Sequence, residues 1–232
     1  MDINRLVMTE VMVMQSPYEY SVHLPSNLEA GKKYPVIFGL HGIGYNEEDM
    51  VSLVNDLKEE FILIGIRGNL TYEQGYAYYY LKSYGNPERE LFDSSIENLK
   101  DLIESSYKQY PIDEERKYLI GFSQGAILSM SLALILGDSI KGIVAMNGYI
   151  PEFVKEEFPL KSIQQTAFFV MQGEKDEIFP IKIGLENYEY LQQHAGSVKY
   201  TIYPSGHVVT EEMKNDLVSW IAKDAVEAKV GK

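Results

Sequence analysis

Ser123 stands between two glycines in "GFSQG", residues 121–125, a G-x-S-x-G pattern. A serine so placed can cap the helix that follows it, or it can be a nucleophile lifted out of a sheet by a tight turn. At average glycine and serine usage the pattern arises by chance roughly 0.1 times in a chain of this length, so its surroundings must decide. A hydrolytic serine needs a base, and in folds that place the serine first the chain order is Ser, acid, His. There are four histidines. His23 lies in an early strand pattern, His194 near a helix end, and His41 precedes the serine. His207, in "YTIYPSGHVVTEEM", follows the last strand pattern and precedes the last helix, and it alone combines the required order with the right end of the sheet.

The acid belongs on the loop after an intervening strand. "FFVMQGEKDEIFP" offers Asp176 there, with Glu174 and Glu177 as alternatives. Asp176 is preferred because a short carboxylate after Gly173 sits at the far side of a turn that Pro180 closes. Acyl transfer also needs two N–H donors for the developing oxyanion, each worth about 2.7–4 kcal/mol. Gln124 supplies one as the residue after the nucleophile, and "HGIG" at 41–44 supplies the other. The second donor is assigned to the Ile43 amide, with Gly42 and Gly44 as alternatives.

These residues need a scaffold that brings strand ends together. Dense apolar runs at 34–40, 61–66, 117–122, 140–146, 166–172 and 198–203 read as strands buried on both faces, as in a parallel sheet. Two further strands, 5–14 and 18–24, separated by a turn at Ser16-Pro17, read as an antiparallel entry. Helical periodicity covers 47–59, 90–109, 124–136, 182–194 and 208–226. In the second of these Leu91, Ile96, Leu99, Leu102 and Ile103 recur at three- and four-residue spacing. The alternation predicts a doubly wound α/β fold, a mostly parallel twisted sheet with helices on both faces, over residues 1–232 as a single domain. Ligands in such sheets bind beyond the carboxyl ends of the strands, where Ser123, Asp176 and His207 all fall.

Composition narrows the partners. With 21 basic and 34 acidic residues the formal net charge is -13, which disfavours nucleic acid and anionic membrane surfaces. There are no cysteines, which removes disulfides and thiolate chemistry. No histidine pair has the H-x-x-x-H spacing, so no metal and no cofactor is expected. No apolar run approaches ~18 residues, and "MDINRLVMTEVMVM" is broken by Asp2, Arg5 and Glu10, so no membrane span or secretory leader is expected and the location is read as cytoplasmic.

"LHGIG", "GFSQGA", "GEKDEIFP" and "YPSGHVVTEE" resemble the signatures of the α/β-hydrolase superfamily, and within it the phospholipase/carboxylesterase, acyl-protein thioesterase-like branch. The resemblance runs from about Tyr34 to the last helix. It implies Ser123, Asp176 and His207 as a catalytic triad and Ile43 and Gln124 as oxyanion donors. Ala126 stands where that branch often has glycine, "FP" where it often has "VP", and "GYNEEDM" where an aspartate commonly follows the glycines. The expected activity is hydrolysis of a small soluble carboxylic ester or thioester without cofactor. A serine peptidase or amide hydrolase, or a non-catalytic binding protein on the same fold, are the alternatives. The stretch between 67 and 90 is rich in tyrosine, at 72, 76, 78, 79, 80 and 84. Tyr76, Tyr79 and Tyr80 are read as walls of the substrate pocket, since such rings bury area while keeping a polar handle. Arg67 and Arg89 are read as surface ion-pair partners.

Overall fold

The structure is a computed structural model describing residues 16–83 and 85–230, with side chains described to residue 226. The strand expected over 5–14, and Tyr84, lie outside the described residues.

One seven-stranded sheet organises the chain, in the order β1-β3-β2-β8-β9-β10-β11. Its strands are β1 (Tyr20–His23), β2 (Tyr34–Leu40), β3 (Ile62–Ile66), β8 (Ile112–Phe122), β9 (Gly142–Met146), β10 (Ile163–Gly173) and β11 (Ala195–Tyr203). Only β1 runs antiparallel, paired with β3; the other ladders are parallel. Two small hairpins, β4–β5 (Leu70–Tyr72, Gly75–Ala77) and β6–β7 (Leu81–Ser83, Asn86–Pro87), fill the excursion after β3. The helices are α1 (Glu47–Leu53), α2 (Arg89–Gln109), α3 (Gln124–Leu136), α4 (Glu152–Glu157), α5 (Ile181–His194) and α6 (Glu211–Val230).

The continuous apolar runs are strands that feed two cores at once, because successive side chains point to opposite faces. Val36, Phe38 and Leu40 of β2 pack with α2, α3 and Leu191 of α5 on one face. Ile37 of the same strand packs with Met50 and Val51 of α1 and with Met213, Leu217 and Ile221 of α6 on the other. β8 divides in the same way, with Leu119 on the first face and Tyr118, Ile120 and Phe122 on the second. The helix after the serine, α3, is buried from Gln124 to Ile135 and carries no charge in its first or last turn. A helix that is apolar all round belongs inside, and here it lies between the sheet and α2.

The first expected helix, 47–59, is shorter than its periodicity suggested: α1 ends at Leu53 and a 3-10 turn follows over Asn55–Leu57. β8 begins at Ile112, earlier than expected, because its first residues are charged and carry no apolar signal.

α3 meets the sheet at very close range. A Cβ on Gly125 would lie 1.8 Å from the Leu40 carbonyl oxygen, and one on Gly121 would lie 2.3 Å from the Gly125 oxygen. Backbone atoms cannot yield as side-chain ends can, so the glycines set how near the helix stands to β2. Gly125→Ala is expected to lower the urea midpoint by a stability loss of about 1–3 kcal/mol or more, measured by equilibrium unfolding.

Candidate active site

Ser123 occupies the turn between β8 and α3 at φ 52°. A non-glycine residue there costs of order 1–3 kcal/mol and persists only where its surroundings hold it. Ser123 N–H donates to the Met146 carbonyl at 2.9 Å, and its own carbonyl accepts from Ile127 at 3.1 Å. The side chain makes no capping bond. Its Oγ lies 2.8 Å from Nε2 of His207. Of the two roles open to a serine between glycines, capping is therefore not the one adopted.

His207 lies beyond β11, its ring between Phe122 and Phe179 at centroid distances of 5.0 and 5.2 Å. Nδ1 sits 2.8 Å from Oδ2 of Asp176. That carboxylate offers only lone pairs when ionised, so Nδ1 carries the proton and Nε2 presents a lone pair to the serine hydroxyl. Asp176 follows β10 and is only 4% exposed, which makes its partners decisive. Oδ1 accepts from the amides of Ile178 and Phe179, both at 2.8 Å. Oδ2 accepts from His207 and from Nδ2 of Asn147 at 2.8 Å. Glu174 and Glu177 are both exposed and do not share this position.

Asn147 was not anticipated. It directly follows β9 at φ 50°, is fully buried, and its Nδ2 also donates to the Gly206 carbonyl at 3.1 Å. Both neighbours are acceptors, which fixes the amide orientation. One sequence signal existed: an asparagine just past a strand tolerates a left-handed backbone better than other side chains do.

The two expected oxyanion donors come from different elements. The loop leaving β2 carries Ile43, and a Cβ on its neighbour Gly42 would lie 3.3 Å from the Ser123 Cβ. Gln124 is the first residue of α3. Among the described residues neither the Ile43 nor the Gln124 amide has an acceptor, so both stand open beside the serine. A cavity of about 270 Å³ is lined by Gly42, Tyr45, Asp49, Met50, Leu53, Phe122 and Val208 among others, residues that adjoin Ile43, Ser123 and His207 in the chain.

The tyrosines differ from expectation. Tyr79 is buried in the core, edge-on to Phe92, because the segment turns inward before α2. Tyr76 lies under the Arg67 guanidinium, and the Tyr80 hydroxyl donates to the Thr71 carbonyl at 3.0 Å. None of the three lines the cavity beside Gly42 and Phe122, where Tyr45 stands instead. Arg67 is engaged by Glu47 and Glu19, and Arg89 by Asp93 and Glu157. Among the described residues no group of three or more His, Asp or Glu side chains could hold a metal ion. No described helix is long and apolar enough to cross a membrane.

Residues 28–224 match the family model described as Phospholipase/Carboxylesterase. The chain belongs to that family. Acyl-protein thioesterase 1 of Debaryomyces hansenii is 32% identical over 148 residues, 60% of this chain and 62% of that protein. The chain thus aligns to under two thirds of that relative's length. The protein of the same name in Candida albicans is 27% identical over 89% of this chain and 98% of its own. The crystal structure of a Bacillus cereus carboxylesterase superposes with a TM-score of 0.79 at 21% identity, over 90% of this chain and 96% of that one. That agreement is of the fold: the family's mostly parallel α/β-hydrolase sheet is present here with its helices on both faces.

Two outcomes are expected from this geometry. Asn147→Ala removes a donor from a buried carboxylate, a bond worth about 1.5–3 kcal/mol. Turnover is expected to fall about tenfold to a hundredfold, read as kcat on a chromogenic ester. His41 is fully buried, and burial pushes its imidazole below the ordinary 6.5, opposed by a bond to the Gly42 carbonyl. The unfolded chain therefore takes up this proton first, and stability is lost as pH falls from 6.5 through the lower folded-state value. His41→Gln is expected to flatten that loss, measured by melting temperature from pH 8 to pH 5.

Proposed function

We propose that this protein is a single-domain serine esterase that hydrolyses a small soluble carboxylic ester or thioester through an acyl-enzyme, acting in the cytoplasm. The observation that carries the reading is the hydrogen-bonded chain from Ser123 Oγ through His207 to Asp176, 2.8 Å at each link, beside two open amides. The similar proteins described above, two acyl-protein thioesterases and a carboxylesterase, support the same class of reaction.

In the first half-reaction His207 Nε2 takes the hydroxyl proton as Ser123 Oγ bonds to the substrate carbonyl carbon. The carbonyl electron pair moves onto oxygen, which the Ile43 and Gln124 amides receive. Asp176 stabilises the imidazolium without taking its proton. The oxyanion collapses, the bond to the alcohol or thiol breaks, and His207 returns the proton to that leaving group. Water then attacks the acyl-enzyme with the same base, releasing the acid and restoring Ser123. The same imidazole serves as base in both halves. The cavity beside Gly42 and Phe122 is lined mainly by apolar side chains, with Asp49 the one acid among them, which supports a short acyl or alcohol group without negative charge.

A p-nitrophenyl ester series from acetate to palmitate tests the reading. Wild type is expected to favour roughly C2–C6 chains, and Ser123→Ala and His207→Ala to lose at least ~10³-fold in kcat. Absence of hydrolysis across the series, together with no labelling by a fluorophosphonate, would overturn it. Full activity in either variant would refute the assignment of the triad.

A further inference from the structure

The tyrosine-rich excursion after β3 is bonded to both elements that carry the open amides. On the β2 side, the Gly44 amide donates to the Tyr76 carbonyl at 2.8 Å, and the Tyr76 amide donates to the Tyr45 carbonyl at 2.9 Å. The Gly68 amide donates to Nε2 of His41 at 2.9 Å, and the His41 amide donates to the Tyr78 hydroxyl at 3.3 Å. Ile43 is thus flanked by two anchored residues, His41 and Gly44. On the α3 side, the Tyr78 amide donates to Oε1 of Gln124 at 2.7 Å, and Nε2 of Gln124 donates to the Tyr79 carbonyl at 2.8 Å.

We infer that residues 68–79 form a positioning clamp that sets the distance and direction of the Ile43 and Gln124 amides, with the Gln124 side chain as one jaw. The inference rests on the esterase reading. The two amides belong to elements more than eighty residues apart in sequence, 43 and 124, and one segment is bonded to both. The Gln124 side chain suits the task because it offers one acceptor and one donor, and it meets an amide and a carbonyl. Glutamate would present only acceptors, and methionine of similar length would present neither. Burial keeps His41 neutral, which preserves Nε2 as the acceptor for the Gly68 amide. At the loop, the hairpin presses so closely that a Cβ on Gly75 would lie 2.0 Å from the Gly44 carbonyl oxygen.

Such a clamp acts on the transition state more than on substrate binding, since the oxyanion forms only after attack. Losing a donor outright typically costs about 10²–10³ in kcat, and a displacement of ~1 Å at a reacting centre costs about 10²-fold. Two variants probe the two jaws separately: Gly75→Ala drives the hairpin from Gly44, and Gln124→Met removes both bonds to the segment. Each would be titrated to completion with a fluorophosphonate, then assayed on p-nitrophenyl butyrate. Expected is a fall in kcat per titrated site of about 10–100-fold, with KM within about threefold of wild type. A merely structural role would lower the melting temperature and the titrated fraction but leave kcat per site at the wild-type value, and that result overturns the clamp. A change in KM or in chain-length preference with kcat retained also overturns it, making the segment a pocket wall. If one variant does not fold, the other decides. A wild type that neither hydrolyses esters nor takes the label sinks the esterase reading itself, a distinct outcome from a clamp variant matching an active wild type.

Discussion

The contact of α3 with the end of β2 is the constraint on which the rest depends. The helix can begin where it does only because Gly125 lets its backbone rest against the Leu40 carbonyl. That approach brings the loop leaving β2 directly alongside Ser123. It also forces the chain through a left-handed residue at the serine, a strain the Met146 and Ile127 bonds and the buried helix offset. The position of the serine and its nearness to the loop leaving β2 are consequences of one packing decision.

The loops that carry Asn147, Asp176 and Gly206 are registered to the serine through the sheet. The ladder continues past the strand ends: Ser123 N–H bonds to Met146, Asn147 N–H to Met171, and Glu174 N–H to Tyr203, each at 2.8–2.9 Å. Each loop therefore departs from a fixed height relative to its neighbour. Asn147 then ties two of them together by side chain, bonding Asp176 on one loop and the Gly206 carbonyl on the next. Since Asp176 is almost wholly enclosed, its four acceptor contacts leave the carboxylate no alternative rotamer in which to remain satisfied. The imidazole is oriented by a group that is itself immobilised.

Much of this was legible in the residues because double-sided burial leaves a strong apolar signature. β2, β3, β9 and α3 were readable from composition alone, and the order of Ser123, Asp176 and His207 after successive strands pointed to the site. What escaped had physical reasons. α4 spans only Glu152–Glu157, too short for periodicity to register. The β4–β7 hairpins have strands of two or three residues whose pairing depends on the neighbouring loop. Tyr79 was misplaced because an aromatic ring suits a pocket wall and a core equally well, and only the inward turn of the chain before α2 separates them. Asn147 carried a faint signal, since its role arises from two loops that meet in space and not in sequence.

The bonds joining the excursion to the β2 loop run largely through the main chain, and this bears on how such a protein can change. Amides and carbonyls are indifferent to which side chain they bear, so residues such as Tyr72 and Tyr80 are open to replacement without breaking those links. Gly75, held by the nearness of the Gly44 carbonyl, is an exception, as are His41 and Tyr78, whose side chains carry two of the links. Mutational drift in the hairpin can thus reshape the surface beside the serine while the amides it holds stay where they are. A lineage could explore new substrates on a scaffold whose loop is held in part by backbone groups that side-chain replacement leaves in place.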